Sequence, residues 1–434
     1  MPVKKYTTIL ANIFVFLLPW QTLWIYHEPF MNGIKWEYGV LGFFVTELLA
    51  WVIIILFLYQ YGRIIKTNMY LIDKKIGKDR LFIASCLVLI IYLFLSSLWS
   101  PVPELARQQS LRITLSYLLF ILFSSQYISF ARVRFWFIMG SIAPSLLAIW
   151  QFLSQSTVAS SLFGLAKHIA SEAGTSVVVL DNERWLRAYG PMTHPNMFGG
   201  YLVIVLWFIF LHYFSVKKNA VQEKYAEVLL MGVSVIASTA LVFTFSRSAW
   251  VSFIILMCGT MYWYKKSNLD IRLHGLLIVF TVVFALIFSP ITKTRITIGS
   301  EQEKQTIHER VQSVVGGKDI FLTSPWIGSG VGNYTARMYQ LRPTLPGWEY
   351  QPAHAVPLLL AGEVGVLGMG LFGLCIGLYF LLFWSFFQKQ KWYVIGTGIA
   401  LVFPLLFLDH YLYTSYTGLI LLVLLFTSFV QTTE

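Results

Sequence analysis

The feature that most limits what this chain can become is a series of apolar runs, each near 20 residues long, separated by short polar connections. A helical run of that length matches the hydrocarbon thickness of a bilayer. Lipid offers the backbone no water, so each run must close its own hydrogen bonds as a helix. The spacing predicts helices at 7–26, 40–61, 81–98, 113–130, 135–153, 197–214, 226–244, 248–264, 273–290, 356–384, 392–408 and 412–430. The runs are continuous rather than alternating, which argues against a β-barrel. Charged residues are only 12% of the chain, about half the share of a soluble domain. The expectation is an all-α integral membrane protein, residues 1–434 forming a single polytopic domain of about twelve spans. Cys86, Cys258 and Cys375 each fall inside an apolar run, which speaks against a disulfide framework or a cysteine zinc site. No small-residue cleavage site follows the first run, so it reads as a retained span.

The connections alternate in charge. Lys4 and Lys5, the 62–80 loop, Arg132 and Arg134, Lys217, Lys218 and Lys224, Lys265, Lys266 and Arg272, and Lys389 and Lys391 form one set. That set holds 18 Lys and Arg against six acids, which accounts for the whole net charge of +12. Positive loops stay on the cytoplasmic side, so the expected location is the cytoplasmic (inner) membrane, with both termini cytoplasmic. The basic excess then needs no nucleic acid partner. Two outer segments are long, 154–196 and 291–355; the second falls between predicted helices 9 and 10, and loops of that length commonly carry function.

Four polar clusters fall on the expected outer face. The first is Arg187-Ala188-Tyr189-Gly190 followed by His194-Pro195-Asn196. Pro195 keeps His194 out of helix, Asn196 is placed to begin a span, and Gly199 and Gly200 permit close helix packing. A plain structural turn with a surface histidine fits the same residues. The second is Ser246-Arg247-Ser248, where Arg247 is the only charge between Val228 and Tyr264. An arginine there either snorkels to lipid phosphate or faces an anion site inside the bundle. The third is Arg310, on a helix expected over about 301–321, followed by Pro325-Trp326-Ile327-Gly328-Ser329-Gly330-Val331-Gly332. No βαβ unit surrounds these glycines, so a dinucleotide loop is excluded; they suit a tight loop lying across the bundle. The fourth is His354, where the long loop re-enters the membrane, with Glu363 inside the span that follows. His354 serves either as a helix-start or surface residue or as a base, and an ionisable residue at the depth of Glu363 is a site candidate. Several arginines facing one cavity suit a polyanion, because each guanidinium makes forked hydrogen bonds to phosphate. No aspartate cluster with metal-ligand spacing accompanies them, so the neutralising charge is expected from arginine rather than from a metal.

On these motifs, in this order, nearly the whole chain resembles the O-antigen ligase family, which includes O-antigen polymerases and protein O-oligosaccharyltransferases. The resemblance implies a GT-C-type glycosyltransferase-like bundle that moves a glycan from an undecaprenyl-diphosphate carrier to an acceptor hydroxyl, inverting the anomeric centre without a metal or other cofactor. It implies that Arg187, Arg247 and Arg310 bind the diphosphate, with Arg187 supporting either that site or the first sugar. His354 would be the base on the acceptor, with His194, Asn196 and Glu363 in support. One departure is Ala355, where the family commonly has Asn. A polymerase of the same superfamily, which extends a carrier-linked glycan, fits the same motifs. A flippase or transporter would instead show charges near the bilayer midplane and broken helices in matched halves; here span-embedded charges are few, mainly Glu47 and Glu363. The shared condition is spatial: the three arginines and His354 must line one outer pocket.

Overall fold

The computed structural model describes residues 2–67, 77–125, 127–215, 221–267, 271–297, 301–383 and 392–431. Lys74, Lys75, Lys217, Lys218, Lys389 and Lys391, part of the charge pattern above, lie outside them. The helices are α1 (Pro2–Leu17), α2 (Val45–Thr67), α3 (Gly77–Leu95), α4 (Pro103–Ser124), α5 (Phe130–Gly140), α6 (Ile142–Ser154), α7 (Pro195–Ser215), α8 (Val221–Phe243), α9 (Arg247–Ser267), α10 (Arg272–Ile287), α11 (Ser289–Ile296), α12 (Glu301–Thr323), α13 (Tyr334–Leu341), α14 (Val356–Leu382), α15 (Trp392–Phe407), α16 (Tyr411–Thr414) and α17 (Tyr416–Gln431). Among the described residues, Arg80–Leu98, Phe130–Ser154, Pro195–Tyr213, Tyr225–Phe243 and Val356–Leu382 are long and apolar enough to cross a membrane. The pair α10 and α11, bent by 93°, passes the same test together, as a broken span or a re-entrant loop, and Val45–Gln60, Trp392–Phe407 and Tyr416–Gln431 are shorter apolar helices. The chain is a multi-pass membrane protein, mostly helical.

Several boundaries differ from the sequence expectation. The first helix ends at Leu17 rather than near 26. Pro19 cannot donate to a continuing helix, and the chain turns into β1 (Leu23–His27). The run at 135–153 is two helices meeting at Ser141, because Pro144 has no N–H for the Gly140 carbonyl. The run at 113–130 belongs to a helix that starts at Pro103. It carries Arg112, which pairs with buried Glu47 at 3.4 Å, so Glu47 has a structural partner. The last run is broken at Ser415, whose Oγ accepts from Gly418 N at 2.9 Å and so caps α17.

The all-α expectation also omits three two-stranded antiparallel sheets: β1 with β4 (Leu41–Phe44), β2 (Phe30–Met31) with β3 (Ile34–Lys35), and β5 (Val177–Leu180) with β6 (Glu183–Leu186). Two have left-handed residues at both turn positions: Asn32 and Gly33 between β2 and β3, and Asp181 and Asn182 between β5 and β6. That is the two-residue hairpin geometry Asn, Asp and Gly favour. The β5–β6 hairpin delivers the chain directly into Arg187.

Helix α7 is the centre of the bundle. Every residue from Tyr201 to Phe210 is fully buried, as expected of a helix apolar on all sides, and α5, α8, α9 and α17 pack around it. The motif His194-Pro195-Asn196 therefore stands at the end of the most enclosed helix in the fold. Glycines decide what comes close to that end. A Cβ on Gly199 would lie 2.8 Å from Ala249 Cβ and 3.1 Å from Ser246 Cβ, and one on Gly200 would overlap the Tyr411 hydroxyl. Only bare backbone lets the start of α9 and the segment around Tyr411 both reach the first turn of α7.

Helix α14 is interrupted. Gly365, at φ 61° and ψ −172°, leaves the helical path. Residues 325–330 lie across the gap and bond its freed backbone: Ser329 N and Gly330 N donate to the carbonyls of Gly362 and Glu363, while Val366 N and Leu367 N donate to those of Pro325 and Trp326. The glycine-rich segment thus lies across the bundle, as its composition suggests. A Cβ on Gly365 would meet the Trp326 carbonyl at 2.5 Å. Gly365→Ala combines that overlap with a backbone region open essentially to glycine. We expect it to lower stability by about 3 kcal/mol or more, measured as the thermal midpoint of the detergent-purified protein. A midpoint equal to wild type would count against this account of the break.

Candidate functional site

The turn that carries Arg247 is built first. Ser246 caps α9, its Oγ accepting from Ala249 N at 3.4 Å, and Arg247 is the first helical residue. Phe245 holds a left-handed φ of 48°. Two arginines grip the carbonyls of this turn: Arg187 Nε donates to Thr244 O at 2.7 Å and Arg295 Nε to Phe245 O at 3.0 Å. Arg187 is itself on a fixed loop, because buried Gln151 accepts from Tyr189 N and Gly190 N and donates to Gly190 O. Arg295 and Gln151 were not singled out from sequence; nothing in their local patterns marks them.

From Arg187 a chain of hydrogen bonds runs inward. Its Nη2 donates to Asn196 Oδ1 at 2.6 Å, and Asn196 Nδ2 donates to Asp409 Oδ2 at 2.9 Å. Asp409 Oδ1 accepts from His410 N at 2.9 Å. Asp409 and His410 occupy the connection between α15 and α16, and the sequence reading passed over them. The available signal was two ionisable residues side by side in a three-residue link between apolar helices.

Three imidazoles surround Asp409. His354 and His410 have ring centroids 5.6 Å apart, and one ligand-type atom from each of His354, Asp409 and His410 lies within 4.8 Å of the others. The sequence held no metal-ligand spacing, yet the fold assembles this group from two loops separated by the whole of α14 and α15. His194 faces the same carboxylate. Solvent reaches the residue, while protein atoms and the charges of Arg187, Asp409, His410 and His354 crowd its imidazole. Its Nδ1 accepts from Asn196 N at 3.1 Å and its Nε2 pairs with Ser176 Oγ at 3.0 Å. Burial, and then Arg187, hold the His194 imidazole well below its usual value. Burial also brings His410 down to about 4, against the pull of Asp409. Burial pushes Asp409 up, but the three imidazoles outweigh it and the carboxyl falls below its ordinary value. At neutral pH the cluster is a carboxylate ringed by neutral His194 and His410, with His354 beside them.

His354 stands half-buried on the approach to α14, its N donating to Ser313 Oγ on α12 at 3.3 Å. Arg310 lies three residues before Ser313, on the same helix face. Beside His354 a recess of about 390 Å³ opens, lined by Gln312, Ser313, Arg342, Trp348 and Gln351 among others. That volume lies within the usual range for small-ligand sites. Of the residues proposed from sequence, the structure joins Arg187, His194, Asn196 and His354 around Asp409. Arg247 follows Thr244 by three residues at the start of α9, and Arg310 precedes Ser313 by three on α12. Glu363 stands apart in a bracing role. Its Oε2 accepts from Gly332 N and Tyr413 OH at 2.8 Å each, and its Oε1 from Tyr334 N at 3.4 Å.

Residues 232–373 match the family model described as O-Antigen ligase. Over that stretch the chain is similar to the O-antigen ligase family. No curated protein matches the chain. The O-antigen ligase stretch begins within α8 and ends within α14, so it contains Arg247, Arg310, His354 and Glu363, while Arg187, His194, Asn196 and the Asp409–His410 pair pack onto it from outside. The matched family comprises membrane glycosyltransferases or ligases of cell-envelope polysaccharides, and the match supports, at that coarse level, an enzyme of lipid-linked glycans.

Within this stretch, Glu363→Ala would orphan two backbone N–H groups and the Tyr413 hydroxyl. Leaving buried donors unsatisfied costs about 1–3 kcal/mol each. We expect a stability loss of about 3 kcal/mol or more by thermal unfolding in detergent, with Glu363→Gln recovering part of it by keeping one acceptor oxygen. Equal stability of wild type and Glu363→Ala would overturn the bracing role.

Proposed function

We propose that the protein transfers a glycan from undecaprenyl diphosphate to an acceptor hydroxyl on the outer face of the cytoplasmic membrane, by a metal-independent inverting reaction in a GT-C-type bundle of about twelve spans. The observation that carries this reading is the convergence of four separated segments, around residues 187–196, 247, 354 and 409–410, on one end of α7, beside a recess. The positive connections assign the opposite end to the cytoplasm, which leaves the cluster where a flipped lipid-linked glycan is displayed.

The carrier's tail stays in lipid and its diphosphate sits at the interface. Arg247, at the start of α9, and Arg310, on α12, bind the diphosphate. Fixed guanidinium groups stabilise the charge that develops as the sugar–phosphate bond breaks, at little reorganisation cost. Arg187 is committed to Thr244 and Asn196 and acts by positioning, holding the Arg247 turn against Asn196 and the Asp409 carboxylate. The acceptor hydroxyl enters from the recess lined by Trp348 and Gln351. Its proton passes to His354, its oxygen attacks the anomeric carbon, and the bonding electrons leave with the diphosphate. Attack opposite the leaving group inverts that carbon. The 154–196 and 291–355 segments are the outer loops that enclose this chemistry.

The decisive experiment reconstitutes the full chain in liposomes with an undecaprenyl-diphosphate glycan and candidate acceptors. Release of undecaprenyl diphosphate together with a new, inverted glycosidic bond supports the reading. If the new bond forms on a second carrier-linked glycan, the enzyme is a polymerase; transport of intact donor without bond formation would sink the proposal.

A further inference from the structure

We propose that His354, Asp409 and His410 form a binding site for one divalent transition-metal ion of the zinc type, and that such an ion switches the enzyme off. The second half rests on the reading of His354 as the base.

The donor set comes first. Two imidazole nitrogens and a carboxylate are the ligand types of zinc sites that keep a further position open. They disfavour Mg²⁺ and Ca²⁺, which take oxygen ligands. Ligands at zinc distances and a tetrahedral angle are roughly 3.4 Å apart. The three ligand atoms here already lie within 4.8 Å of one another, so side-chain rotations of about 1 Å close the site without backbone movement.

The surroundings are those of a built site. Asp409 is buried, and its Oδ2 is held by Asn196, which Arg187 holds in turn. His410 Nδ1 pairs with Thr414 Oγ1 at 2.9 Å, which directs Nε2 away from α16. Bonding of the second ring nitrogen is what orients a metal-binding histidine, and such outer contacts tune affinity. His194 faces the group but is not a ligand, since both of its nitrogens are already engaged. The recess beside His354 gives the ion a way in and leaves room for water at its open position.

An ion bound here occupies the nitrogen lone pair that would take the acceptor's proton. Transfer then stops while donor binding at the arginines persists, and chelation restores it.

The test uses the full chain in lipid nanodiscs, stripped with a chelator and titrated with Co²⁺ and then Zn²⁺. The expected result is one Co²⁺ per chain with the visible absorption of a low-coordinate site, displaced by Zn²⁺ and unaffected by Mg²⁺. Asp409→Asn, His410→Gln and His354→Gln should each weaken Co²⁺ binding by at least about 100-fold, beyond the 10–100-fold that loss of an outer contact produces. His27→Ala, on exposed β1, should bind as wild type. Absence of saturable Co²⁺ binding, or unchanged binding in a variant whose thermal midpoint matches wild type, overturns the site. Zn²⁺ binding without inhibition of transfer overturns the switch and removes His354 as base, while the binding result stands.

Discussion

Arg247→Ala is expected to lower glycan transfer by about 100- to 1,000-fold, the effect of removing one preorganised group that stabilises transition-state charge. The guanidinium sits at the first position of a helix whose cap is made by Ser246, not by Arg247 itself. The cap of α9 is therefore kept when the side chain is cut back. Expression, membrane insertion and thermal midpoint should match wild type, and Arg247→Lys should recover only part of the rate because an ammonium cannot fork across two phosphate oxygens. Arg187→Ala provides the contrast. It frees the Thr244 carbonyl and Asn196 in a buried place, so it should lose stability, by about 1–3 kcal/mol, as well as rate. Transfer assays with a lipid-linked glycan, run beside thermal unfolding, separate the two. Full activity in Arg247→Ala would remove the diphosphate assignment.

His354→Ala is expected to reduce kcat by about 100- to 10,000-fold, the span of general base catalysis, with a much smaller change in KM for the lipid-linked donor. In the proposed mechanism the donor's charge is held by arginines on other segments, whereas the imidazole acts only on the acceptor proton. His354→Gln keeps the volume and hydrogen-bonding capacity without the basicity, and should be as slow as alanine. A stronger nucleophile needs less help: replacing the acceptor hydroxyl by a primary amine should recover more rate in His354→Ala than in Arg247→Ala. Equal recovery in both would separate His354 from the proton transfer.

The helical elements were readable because lipid forces each long apolar run to close its own backbone, and their ends shifted where proline intervened, at Pro19 and Pro144. The hairpins were missed although their turn residues, Asn32-Gly33 and Asp181-Asn182, were in plain view. Between membrane runs the eye follows hydropathy, and the strands are only two to five residues long. Within the site, Arg187, His194, Asn196 and His354 stood out as polar groups at the mouths of apolar segments. Asp409 and His410 did not, because their meaning is wholly tertiary. Asp409 matters through Asn196 and His410 through His354, and no spacing along the chain encodes those pairings. Glu363 was noticed for its depth in a span, but that signal cannot tell a reacting carboxylate from one that ties a glycine-rich loop to Tyr413.

The break at Gly365 has a consequence for how the protein is made. An ordinary membrane helix is self-sufficient when it leaves the insertion machinery, and its neighbours can arrive in any order. This one is delivered incomplete, with amides and carbonyls that the stretch from Pro325 to Gly330 and the Tyr92 hydroxyl satisfy. Final maturation must therefore wait until the preceding stretch of chain has folded and settled back. Lesions in that stretch should surface as a stalled, protease-sensitive assembly intermediate rather than as a mature protein with an altered surface.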